Sequence, residues 1–230
     1  PGRCGGVPEP ARQYGIYIVP MHVSFGDGTR DDGAFPSEEI CSYQSAQIAA
    51  EGRDYVTSLD TKVVTAAQCA IVVRVARLLE EHPDWGIEQA VPAAEELIRR
   101  SRLCFIPDEL EYLRAGGRVS NAVALCGKLL GIHPRIELLD GRLVATKKPR
   151  GRLARLAPRL VEEFAAQERL ERDELWLVWT PGFPDELRTL VEESAQRCGF
   201  RDVIWVKAGG VITTHSGPSS FGVAGFAEAD

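Results

Sequence analysis

Strands alternating with helices predict an α/β fold for this 230-residue chain. Three observations carry that expectation. Ala-, Val- and Leu-rich stretches long enough for helices fill residues 64–81, 87–101 and 152–167. Short β-rich runs such as 103–106, 174–179 and 203–206 alternate with these and with a further helix over 184–198. Asp140-Gly141 separates two further β runs, 134–139 and 142–146, and this dipeptide favours the tight primed turn of a β-hairpin.

Composition fits a soluble globular protein, with 44% apolar and 26% charged residues. There are 27 basic and 33 acidic side chains, a net charge of −6, which argues against sequence-independent nucleic-acid binding. No apolar run approaches the roughly 20 residues needed to cross a bilayer, so no stable membrane insertion is expected. The start, Pro1-Gly2-Arg3-Cys4-Gly5-Gly6, has no apolar signal region, and a cytoplasmic location is expected. The first residue is not Met and Met21 is the only one, so a longer translated product is expected.

The elements follow in order. Residues 16–25 form a β run interrupted by Pro20, a bend or edge signal, and Gly26-Asp27-Gly28 marks a turn. Ser37 with Glu38 and Glu39 marks a helix start, and a helix over 43–50 ends at Gly52. Residues 55–57 form a short strand. The helix over 64–81 stops before Pro83, and 87–101 is amphipathic with basic residues in its last turn. A buried strand over 103–106 precedes a segment, 110–117, that ends in a double glycine. A helix over 121–130 closes at Gly131 before the hairpin. Helix 152–167, strand 174–179, helix 184–198 and strands 203–206 and 211–214 complete the order. Residues 1–102 are expected to form one α/β domain and 103–230 a second.

The six cysteines, Cys4, Cys41, Cys69, Cys104, Cys126 and Cys198, are widely spaced and form no CxxC. A zinc ribbon or thioredoxin-like motif is therefore unsupported, and no metal site is expected. Most are read as small buried hydrophobes in a reduced compartment. His22, His82 and His133 form no HxxxH pair and are read as structural. Dinucleotide and P-loop glycine patterns and the GxSxG elbow are absent.

Three clusters carry candidate chemistry. In the first, the strand over 211–214 delivers His215 to a loop, Ser216-Gly217-Pro218-Ser219-Ser220, rich in hydroxyls and glycines. Backbone N–H groups and hydroxyls in such a loop can meet an anion, and a solvated turn is an equal reading. In the second, Gly116-Gly117 permits close backbone approach beside Arg118, whose planar fork can donate to an anion. Here a plain turn followed by a helix cap is the simpler reading. The third, Lys147-Lys148-Pro149-Arg150-Gly151-Arg152, is the densest positive run in an acidic chain, suited to an acidic partner or to solvent.

Five segments in order resemble the DegV family of bacterial lipid-binding proteins. Residues 16–23, IYIVPMHV, resemble its N-terminal I-x-V-V-P-L-x-V strand. Ser42-Tyr43-Gln44-Ser45-Ala46 is similar to the tail of its Ser-Gly-Thr-Tyr-x-Ala segment. Residues 110–120, LEYLRAGGRVS, resemble L-x-Y-L-x-x-G-G-R-I. Leu129-Leu130-Gly131-Ile132-His133-Pro134 is similar to L-L-x-I-K-P, with His133 in place of Lys. Residues 215–222, HSGPSSFG, resemble H-x-G-P-G-x-x-G.

The resemblance implies a two-domain DegV-like fold. A Rossmann-like parallel-sheet N-terminal domain would precede a second α/β domain with a mixed or antiparallel sheet. It implies a long-chain fatty acid, rather than a conventional cofactor, buried between the domains. It further implies a carrier without catalytic activity that presents the bound carboxylate to a partner fatty-acid kinase. Carried over, the matching head-group ligand is His215; Ser42 is the aligned hydroxyl, though it matches the family's Thr rather than its contacting Ser. Arg118, Ser216 and Gly217, from the candidate clusters, are expected to bind the ligand with them, and Arg150 and Arg152 would dock the kinase. The family's Asp-Ser strand and Thr-Ser-x-Pro motif have no counterpart here. Cys41 stands where the family has Gly, so further residues are expected before Pro1 and near Cys41. The competing expectation is a hydrolase or phosphoryl-transfer enzyme using His215 with Ser216 or Ser219, for which no third orienting group is evident.

Overall fold

The computed structural model describes residues 16–19, 47–48, 50–52, 57–116 and 131–229. Strands β1 (Ile16–Val19) and β2 (Thr57–Asp60) pair in parallel, with Ile16 opposite Thr57. Helices α1 (Thr65–Glu81) and α2 (Ile87–Arg100) follow, and α2 runs directly into β3 (Ser101–Ile106). A short helix, α3 (Glu111–Ala115), leads toward the hairpin β4 (Arg135–Leu139) and β5 (Arg142–Lys147). Then come α4 (Leu153–Gln167), β6 (Glu174–Trp179), α5 (Asp185–Arg197), β7 (Asp202–Lys207), α6 (Gly210–Ser216) and β8 (Phe221–Phe226).

Six of these strands form one mixed sheet in the order β5-β4-β3-β8-β6-β7. Only β6 and β7 are parallel, joined by α5 as a β-α-β crossover, and the other neighbours are antiparallel. The hairpin turn is at Asp140-Gly141, both with positive φ (46° and 78°), as a primed turn requires.

The sheet separates two cores, and the period-two alternation of its strands feeds both. Leu175 and Leu177 of β6, Phe221 and Val223 of β8, and Cys104 and Ile106 of β3 face α4 and α5. Trp176, Val178, Ala224, Phe226 and Leu103 face α1 and α2. Helices assigned by sequence to the first domain thus share a core with the sheet, and the expected division at 102/103 falls inside β3.

Two local expectations are corrected. Residues 211–214 are helical, part of α6, although Val-Ile-Thr-Thr reads as strand. The Thr213 and Thr214 hydroxyls donate to the carbonyls of Gly209 and Gly210, four residues back, while Ile212 packs into the α1-side core. Tertiary packing overrides β propensity here. Conversely β8 was not expected, because Gly222 and Gly225 weaken its strand signal. Both glycines serve packing. A Cβ on Gly222 would lie 2.7 Å from Val178 Cγ1 and 2.9 Å from the Cys104 carbonyl oxygen. One on Gly225 would lie 3.2 Å from Leu170 Cδ1.

The cysteine reading is also narrowed. Cys104 is buried, Cys198 is half-buried and Cys69 is exposed, and all three are free thiols. The contacts of His133 agree with a structural reading: its Nδ1 lies 3.2 Å from the Pro107 carbonyl oxygen, and its backbone N–H donates to the Pro149 carbonyl.

Candidate functional site

The C-terminal ends of the parallel strands β6 and β7 are where an α/β sheet leaves a crevice. An open cavity of about 170 Å³ lies there, on the α1 side of the sheet. Its floor is Leu103 and Phe105 of β3, Val178 of β6 and Gly222 of β8. Leu113 of α3 and Leu143 of β5 wall one side, and Val211 and Ile212 of α6 another. The lining is overwhelmingly apolar. Val211 is 73% exposed, which puts a hydrocarbon side chain at the mouth.

The polar lining residues are Thr65, Thr180, His215, Ser216 and Ser220; Thr180, Ser216 and Ser220 are tied together through the loop at Gly217. Thr65 opens α1, whose N-cap residue Val64 offers no side-chain acceptor. The first turn of a helix carries N–H groups without intrahelical acceptors, so α1 adds backbone donors to the lining. Val64 and Thr65 were not among the sequence candidates, because nothing local marks a helix start as part of a distant cavity.

His215 sits in the last turn of α6, rather than at a strand end. Two motifs that are 100 residues apart in the chain meet around it. A Cβ on Gly116 would lie 2.5 Å from His215 Nδ1, and a Cβ on Gly217 would lie 2.6 Å from Tyr112 Cδ2. Each motif therefore supplies a glycine that receives a ring from the other. Gly217 also has φ 81°, a conformation that favours glycine.

The loop after α6 is held by a hydroxyl network. The buried Thr180 hydroxyl donates to the Gly217 carbonyl at 2.8 Å and accepts the Ser220 N–H at 2.8 Å. Ser220 donates to the Ser216 carbonyl at 2.7 Å, and Ser216 donates to the Ile212 carbonyl at 2.9 Å. The Ser216 proton is thus committed to the backbone, which opposes its use as a nucleophile activated by His215. Thr180 escaped the candidate set because its role is set by contacts 37 and 40 residues away, to Gly217 and to Ser220 of the first cluster.

Among the candidates, the structure brings His215, Ser216 and Gly217 to the cavity region. Ser42 and Arg118 lie outside the described residues. Arg150 and Arg152 are exposed, with Arg152 at the N-cap of α4 and Arg150 bridging Ile132. Among the described residues no cluster of His, Cys, Asp and Glu could hold a metal ion, and no helix is long and apolar enough to cross a membrane.

Comparison with known proteins gives one family. A DegV domain-containing protein of Deinococcus radiodurans is 34% identical over 186 residues, covering 78% of this chain and 63% of that protein. One of Streptomyces coelicolor is 28% identical and covers 93% of both chains. The solved structure of a fatty-acid-binding DegV family protein from Thermus thermophilus superimposes with a TM-score of 0.68 at 27% identity. That match covers 81% of this chain and 66% of the Thermus chain, so this chain spans about two thirds of its length. The DegV family model, described as an uncharacterised protein family, matches residues 33–228, and the chain therefore belongs to the DegV family.

Proposed function

We propose that this chain is a carrier that binds a long-chain fatty acid in the apolar cavity, with the carboxylate toward the polar part of the lining at His215. The observation that carries the reading is one overwhelmingly apolar cavity with few polar lining residues, among them His215 and the hydroxyl groups of its loop. Such a lining suits an amphipathic ligand with a single polar end. The Thermus relative, named for fatty-acid binding, supports the same reading.

The energetics agree. An acyl chain of about fifteen methylenes gains ~12 kcal/mol gross on burial, at ~0.8 kcal/mol each. Immobilisation removes part of that gain. A protonated or N–H-donating His215, together with backbone donors at the start of α1, would fix the carboxylate. The cavity is lined from both sides of the division at residue 102, so the acid would lie where the first segment meets the sheet.

On this reading the protein works in the cytoplasm and catalyses no reaction itself. It presents the carboxylate to a fatty-acid kinase that docks on the exposed basic run at Arg150 and Arg152. No polar constellation in the described cavity favours the hydrolase reading, since the Ser216 hydroxyl is occupied by Ile212.

The test is denaturing extraction of purified protein followed by mass spectrometry. Acyl chains at near-stoichiometric yield are expected. His215→Ala should shorten lipid retention at least tenfold in an exchange assay. Protein that carries no lipid and gains no melting temperature from added palmitate would overturn the reading.

A further inference from the structure

A second cavity lies on the opposite face of the sheet, between the hairpin and α4. It measures about 280 Å³ and is lined by four cations, Arg135, Lys147, Lys148 and Arg159, with one carboxylate, Glu163. Ile106, Leu156 and Leu160 provide apolar wall. The acyl-cavity floor uses Phe105, one residue away on β3 but on the other face, so the two cavities are separate.

Arg135 is the unusual member. Its side chain is 2% exposed. Nε donates to Glu137 Oε1 at 2.6 Å and one terminal nitrogen, Nη2, donates to Gln167 Oε1 at 2.7 Å. The guanidinium also lies over the Phe164 ring, 5.2 Å from its centroid. The other terminal nitrogen, Nη1, is buried without a hydrogen-bond partner. A buried charged donor left unmatched is costly, and natural cores rarely keep one without a use for it.

A β-bulge brings the other cations to it. Arg135 pairs with Lys147 while Ile136 pairs with Ala145, leaving Thr146 as an extra residue in β5. The bulge re-aims the strand end, so Lys147 lines the same cavity as Arg135 and Thr146 donates to Glu137 at 2.6 Å. Glu163 is balanced locally by Arg159 at 2.6 Å and Lys147 at 3.4 Å. Lys148 makes no ion pair among the described residues. Positive charge therefore exceeds negative in a partly apolar recess lined in part by Arg135, whose Nη1 is buried and unmatched.

We propose that this recess is a binding site for a phosphate-class dianion, held by Arg135 and Lys148 with Lys147 and Arg159 at its edge. Arg135 supplies the planar donor suited to phosphate oxygens, and the lysines supply point charge. The site is independent of fatty-acid binding. Because Lys147 and Lys148 begin the basic run, an occupied recess would reduce the positive charge presented there.

The test is calorimetry and thermal melting of the full chain with sodium phosphate, against sodium chloride at matched ionic strength and pH. Saturable one-to-one binding and a phosphate-specific rise in melting temperature are expected. Lys148→Ala should weaken binding about tenfold. Arg135→Met combined with Glu137→Leu replaces the buried pair by apolar side chains, a change that proteins often tolerate. The double variant should melt cooperatively and lose the phosphate response. Phenyl phosphate distinguishes the source: tighter binding than inorganic phosphate assigns a monoester whose organic part lies on Leu156 and Leu160, and equal or weaker binding assigns the free ion. Wild-type protein stabilised no more by phosphate than by chloride, or a folded double variant with an unchanged response, would overturn the proposal.

Discussion

Gly116 lies against the imidazole of His215, so closely that a methyl group there would come within 2.5 Å of Nδ1. The glycine is thus part of the histidine's seat. Gly116→Ala is expected to destabilise the fold by about 1–3 kcal/mol through overpacking, or to displace the ring. Either response should weaken fatty-acid retention, measured by exchange of a fluorescent acid. Gly209→Ala, where no atom lies within 4 Å of the added Cβ, is the control and should be near neutral in both assays.

Thr180 is the keystone of the loop that follows His215. Thr180→Val keeps the shape but removes an acceptor for the Ser220 N–H and a donor to the Gly217 carbonyl. The expected cost is about 1–3 kcal/mol, since a buried N–H is left without its partner. Urea denaturation reads the stability, and a faster fatty-acid off-rate would show that the loop had loosened.

Gly222 limits the centre of the sheet. Gly222→Ala places a Cβ against Val178 Cγ1 and against the Cys104 carbonyl. The carbonyl belongs to the neighbouring strand, so relaxation is restricted and a loss of about 3 kcal/mol or more is expected. Adding Val178→Ala relieves only the side-chain clash. Partial recovery of the melting temperature is the outcome that supports this account.

Cys104 is fully buried, and burial pushes its thiol pKa well above the ordinary value. The thiolate is the reactive form, so native Cys104 should resist a disulfide reagent. In a variant that keeps Cys104 as its sole cysteine, labelling should proceed only through unfolding. Rapid labelling under native conditions would contradict the placement of β3 at the middle of the sheet.

Glu163 links the end of β5 to α4 through Lys147 and Arg159. Partial burial acts to raise its pKa, but its hydrogen bonds and attraction to Arg159 and Lys147 outweigh this, and the net shift is downward from 4.5. A lowered folded-state pKa stabilises the fold above the unfolded value and loses that contribution as pH falls through the folded one. Glu163→Gln should therefore cost stability at neutral pH, within about 1 kcal/mol for so exposed a pair. The difference from wild type should vanish in acid below both values, as a pH series of melts would show.

The sequence alone was enough for the α/β class, the hairpin at Asp140-Gly141, most helices, and the His215 motif with its family resemblance. Those features are local: turn chemistry, helix-forming runs and short motifs act over a few residues. Other features depended on contacts distant in the chain. The helical state of 211–214 rests on Ile212 finding the α1-side core, against the preference of its β-branched residues. The central strand β8 is hidden by two glycines that make sense only against Val178, Cys104 and Leu170. Val64, Thr65, Thr180 and Ser220 join the cavity because strand ends, a helix start and a loop converge there. The unmatched Nη1 of Arg135 likewise exists only once β4, β5 and α4 enclose it. Burial and hydrogen-bond satisfaction are properties of the packed chain, so only the tertiary structure decided them.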